Sequence, residues 1–145
     1  MEKVNVYIKT SNRSPQKRDG YGCYILECFR NGEPRTIEDI IELKEVSAMQ
    51  AELITTLHAL RRLKCECELT IYQPGWMSRA FDEKWIEKWA NNGWISASGK
   101  PVRYQEEWLE VSQRLSHNIY EFRIGSHSYT DWMEAKIKKE MDKDV

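Results

Sequence analysis

The first forty-odd residues constrain the fold more than any other stretch. Val4-Asn5-Val6-Tyr7-Ile8 is a β-branched and aromatic run, a polar loop follows, and Gly20-Tyr21-Gly22 restarts the extended pattern. Asn31-Gly32 then separates two further strand-like runs, and this dipeptide favours the positive φ angles of a two-residue hairpin. Strands are therefore expected near Lys3–Lys9, Tyr21–Arg30 and Arg35–Lys44, with the first three antiparallel. A chain that opens this way commits to a sheet before its first helix.

Helical spacing begins after residue 46. Leu53, Leu57, Leu60 and Leu63 form a buried stripe over Ser47–Leu63, and Ser47 is a plausible N-cap. Cys65–Tyr72 reads as a fourth strand, ended by Gln73-Pro74-Gly75. Two short helices are expected at Trp76–Phe81 and Asp82–Ala90, the second capped by Asp82 and closed by Asn91-Asn92-Gly93. A helix over Pro101–Leu115, a fifth strand over Ile119–Ile124 and a helix over Asp131–Met141 complete the order. Strands first, then helices alternating with strands, predicts an α/β domain on a five-stranded mixed sheet flanked by helices. One domain over residues 1–145 is expected, a length that buries about two thirds of the unfolded surface.

Composition narrows the function less. The net charge of −1 lacks the excess of Lys and Arg that non-specific nucleic-acid binding favours. Basic clusters are local: Arg13 with Lys17-Arg18, Arg61-Arg62 with Lys64, and Lys136 with Lys138-Lys139, whose default reading is a solvated face. The six Trp and seven Tyr are read first as core, with base stacking as the alternative. Cys65-x-Cys67 lacks a second metal half-site. With no apolar run or signal segment read, the chain is expected to be cytoplasmic with reduced thiols.

Several motifs together carry a resemblance. The strand ending near Ser11 with Gly20-Tyr21-Gly22 behind it resembles the opening of a type I ribonuclease H. Met49-Gln50-Ala51-Glu52-Leu53 resembles that family's helix bearing a catalytic glutamate. Trp85, Trp89, Trp94 and Pro101 resemble the handle of the bacterial enzymes, and Tyr120–Gly125 the strand before the catalytic histidine loop. The resemblance covers nearly the whole chain and implies the ribonuclease H-like fold. It also implies hydrolysis of the RNA strand of an RNA–DNA hybrid with two Mg²⁺ ions held by four carboxylates.

The carboxylates are where this chain departs from the family. Lys9 falls at the aspartate that bridges both ions. At an effective dielectric near 20, a unit charge about 4 Å from a dication is repelled by roughly 8 kcal/mol. Glu52 is the second carboxylate, Gln73 falls at the third and Ser126 at the histidine, with His127 one residue on. The fourth falls at Lys136 without a gap, or at Glu134 if the apolar phase of Met133, Ile137 and Met141 sets the register.

The expectation is a degenerate member, a pseudoenzyme in which Lys9 pairs with Glu52, and with Glu134 if that register holds, and no metal is held. Its remaining role is binding. Nucleic acid is one partner, through Arg13, Lys17, Arg18, Ser47, Gln50, Lys84, Lys88, Lys100 and Arg103. A protein docking on the Trp76–Trp94 region is the other. The alternative is a residual Mg²⁺- or Mn²⁺-dependent nuclease using Glu52, Glu134, Asp131 and His127. His58 and His117 are read as structural or exposed, and no membrane partner is expected.

Overall fold

The computed structural model describes residues 1–73 and 75–143. Five strands are formed by Glu2–Thr10 (β1), Arg18–Arg30 (β2), Glu33–Val46 (β3), Cys67–Tyr72 (β4) and Ile119–Arg123 (β5). Their spatial order is β3-β2-β1-β4-β5. β1, β2 and β3 pair antiparallel, while β4 runs parallel to both β1 and β5. The α/β class and the antiparallel opening meander are as expected.

The hairpin turn has the geometry its dipeptide favours, with Asn31 at φ 53° and Gly32 at φ 80°. Helix α1 (Ala48–Leu60) starts on Ser47. The Ser47 hydroxyl accepts the Gln50 N–H, and the Gln50 side-chain oxygen accepts the Ser47 N–H. Such reciprocal caps are worth about 1 kcal/mol. Leu53, Leu57 and Leu60 press against Val4, Val6, Ile8, Leu69 and Ile71 to form the main core. α1 lies so close to β2 that a Cβ at Gly22 would run into the Thr55 side chain.

Helices α2 (Trp76–Asp82), α3 (Trp85–Asn91) and α4 (Gln105–Ser116) cover the same side. Helix α5 (Thr130–Lys143) covers the other, where Met133 and Ile137 pack on Tyr7, Tyr21, Cys23 and Ile25.

Several boundaries differ from expectation: β2 starts at Arg18 and not Tyr21, β3 spans Glu33–Val46, β4 starts at Cys67, and three helix boundaries shift. α1 stops at Leu60, with Arg61 as its C-cap, not at Leu63. Asp82 ends α2 instead of capping α3, which starts after Lys84 in the left-handed region. α4 begins at Gln105, because Pro101 bridges to Ile95 and the Val102 N–H bonds to the Trp94 carbonyl, tying that segment to the handle. In the turn expected at Gln73-Pro74-Gly75, Pro74 lies outside the described residues, and Gly75 takes φ 119°.

Candidate functional site

The parallel strands β4 and β5 end together at Tyr72 and Arg123, level with Tyr7 of β1, which runs on to Thr10. Crevices beyond the carboxyl ends of parallel strands are the usual ligand sites of α/β sheets. Here Lys9, Gln73, Ser126, His127, Thr130 and Glu134 line a cavity of about 370 Å³.

Lys9 shares the α5 face of the sheet with Tyr7, as strand alternation requires. Its Nζ lies 3.2 Å from Glu134 Oε1. Lys136 instead sits over the Trp132 ring, 5.5 Å from its centroid. Glu134, not Lys136, is thus the α5 residue beside Lys9.

The expected Lys9–Glu52 pair is absent: the two charges are not within ion-pair distance. Glu52 comes from α1, on the other face, and its carboxylate is already engaged. Oε1 accepts the Met77 N–H at 3.1 Å, and the N–H groups of Gly75 and Trp76 also turn toward it. Glu52 therefore caps the start of α2. At 1% exposure, burial outweighs these donors and pushes its carboxyl up to about 7. Its Oε2 has no hydrogen-bond partner among the described residues.

Gln73 is 3% exposed, and neither its side-chain oxygen nor its nitrogen has a partner among the described residues. An orphaned buried amide costs about 1–3 kcal/mol. His127 packs its ring on Tyr7 and Tyr72, with centroids 4.5 and 5.6 Å away. Its Nδ1 accepts the Tyr129 N–H, which leaves the neutral ring's proton on Nε2. Burial and the Lys9 charge lower its basicity.

Behind this wall Glu27, buried in β2, accepts from Asn5 Nδ2, the Tyr7 hydroxyl and the Tyr129 hydroxyl at 2.9, 3.1 and 2.5 Å. The bond to Glu27 pushes the Tyr129 phenol up to about 12. The sequence reading missed Glu27, although a lone acid among apolar strand positions was the available signal.

The expected nucleic-acid contacts scatter. Arg13 borders a second cavity beside Lys9. Arg18 bonds Gln16, while Ser47 and Gln50 are occupied with each other in the α1 cap. Lys17, Lys84, Lys88, Lys100 and Arg103 are exposed, the last four in or around the handle. The Trp76–Trp94 region is less open than expected. Trp76 is exposed, but Trp85, Trp89 and Trp94 are half-buried, with Trp89 against Trp85, Trp94 and the buried Trp108.

This donor set does not fit two hard dications. Lys9 contributes a cation, Gln73 a neutral amide, and the Glu52 carboxylate is turned to backbone N–H groups. Among the described residues no three of His, Cys, Asp and Glu converge in a way that would hold a metal. Asp131 and His127 do not join Glu52 and Glu134 in such a group.

The RNase H family model matches residues 1–136, and the chain belongs to that family. A protein named Ribonuclease H from Acetivibrio thermocellus is 27% identical over 135 residues, covering 91% of this chain and 88% of the relative. Another, from Moorella thermoacetica, is 32% identical over 130 residues, covering 88% and 82%. Among solved structures, LC9-RNase H1, a type 1 RNase H with the type 2 active-site motif, is similar with TM-score 0.69 at 18% identity. That match covers 88% of this chain and 64% of the other. A foamy viral protease-reverse transcriptase in complex with RNA/DNA hybrid gives TM-score 0.63 at 15% identity, covering 94% and 19%. These structural likenesses speak to the fold.

Proposed function

We propose that this RNase H-like domain no longer hydrolyses RNA by the two-metal route and serves as a nucleic-acid-binding module. The observation that carries the reading is the Lys9–Glu134 ion pair at 3.2 Å. In this reading Lys9 stands in for the family's bridging aspartate, and its ion pair engages Glu134, one of the two carboxylates that remain. Glu52, the other, is held by the start of α2. The nucleic-acid half rests on family membership and on the RNA/DNA hybrid bound by the foamy viral relative. The protein-docking alternative is weakened by the half-burial of three of its tryptophans.

A second reading, a residual Mg²⁺- or Mn²⁺-dependent nuclease, is favoured by the relatives named Ribonuclease H. The two separate in one assay. An end-labelled RNA–DNA hybrid is incubated with the protein in Mg²⁺ and then in Mn²⁺, with Glu52→Gln alongside. The expected result is no cleavage by either protein. Chelator-sensitive cutting by the wild type that Glu52→Gln abolishes would overturn the proposal.

A further inference from the structure

The Lys9–Glu134 pair is the shared wall of two cavities. On its far side Lys9, Thr10, Ser11, Arg13, Glu134, Ile137, Lys138 and Met141 enclose about 310 Å³ between the end of β1 and one face of α5. Glu134, Ile137, Lys138 and Met141 follow the i, i+3, i+4, i+7 spacing of a single helical stripe. The cavity carries three cations (Lys9, Arg13, Lys138) against one carboxylate (Glu134), so its lining is +2, whereas the whole chain is −1. Lys9 is answered by Glu134; Arg13 and Lys138 have no ion-pair partner among the described residues. The Thr10 and Ser11 hydroxyls already donate, to the Asn12 carbonyl and the Asn12 side chain. An incoming group would meet cations above all.

We infer that this cavity is a metal-independent site for a phosphate group, gripped by Arg13 and Lys138 with Lys9 at its floor. Two free cations facing one small concavity focus potential where an isolated surface lysine does not. Arg13 supplies a planar fork that matches phosphate oxygens, and Lys138 a point charge. The inference rests on the binding half of the proposed function and does not depend on whether hydrolysis has been lost. The phosphate belongs either to a nucleic-acid backbone or to a small phosphorylated compound.

The test measures fluorescence anisotropy of a labelled RNA–DNA hybrid in EDTA, with wild type, Arg13→Glu, Lys138→Glu and, as a charge-matched control, Lys3→Glu at the other end of β1. Circular dichroism melts check that each variant folds. Each cavity variant should weaken binding by about tenfold and reduce the slope of log K against log salt by about one. Lys3→Glu should change affinity less than twofold.

Pyrophosphate titrations complete the test. Pyrophosphate that competes with the hybrid assigns the backbone as ligand. Pyrophosphate that binds the wild type but not Lys138→Glu, without affecting the hybrid, assigns a small phosphate compound. Equal losses in all three variants, no loss in either cavity variant, or displacement by polyglutamate but not by pyrophosphate would overturn the site. Cleavage of the hybrid once Mg²⁺ is added would sink the loss-of-hydrolysis proposal and leave this one standing.

Discussion

Glu52 caps the start of α2 from a place where burial disfavours its charge. Its carboxyl titrates near 7 in the fold against an ordinary 4.5, because burial disfavours the anion more than the α2 N–H groups favour it. A carboxyl with a raised folded value stabilises the fold fully below about pH 4.5. That contribution fades as pH climbs to about 7 and is gone above it. The loss is on the order of 3 kcal/mol. Glu52→Gln keeps an oxygen for the Met77 N–H but cannot ionise. Urea melts should show the variant matching wild type near pH 4.5 and exceeding it by about 1–3 kcal/mol at pH 8. Parallel stability profiles across that range would mean that Glu52 is well solvated, contrary to the geometry described.

At the level of elements, the close approach of α1 to β2 depends on the missing side chain at Gly22. Gly22→Ala is expected to destabilise by about 1–3 kcal/mol in chemical denaturation, since well-packed interfaces yield little. Pairing it with Thr55→Ala should recover part of the loss. An additive double variant would show that the two sites do not touch.

Where an element is set by neighbours in the chain, the sequence was a sufficient guide. Asn31-Gly32, the Ser47 cap, and the phase of Met133, Ile137 and Met141 that puts Glu134 toward Lys9 are all local signals. The start of α4 was misread because tertiary bonds from Pro101 and Val102 to the handle override helical periodicity. The expected pairing of Glu52 with Lys9 failed for a similar reason, since the helix that Glu52 caps lies across a strand and a turn, and nothing local to α1 announces it. Lys138 looked like one of several solvated lysines, and only the packing of α5 beside Arg13 sets it apart.

On the scale of the molecule, a chain of net charge −1 cannot hold a polyanion by its average field, so any grip on phosphate must be local and salt-sensitive. The Glu27 brace adds a kinetic dimension. Tyr129 is the last residue before α5, and its hydroxyl, with that of Tyr7, is fastened to one buried carboxylate. The helix bearing Glu134 and Lys138 is thereby moored to the centre of the sheet. A receptor surface moored in advance has little to rearrange on encounter. Stopped-flow association should give observed rates that rise linearly with ligand concentration, and Tyr129→Phe should bend that line toward a plateau. Speed of capture, more than tightness of hold, is what such a brace confers.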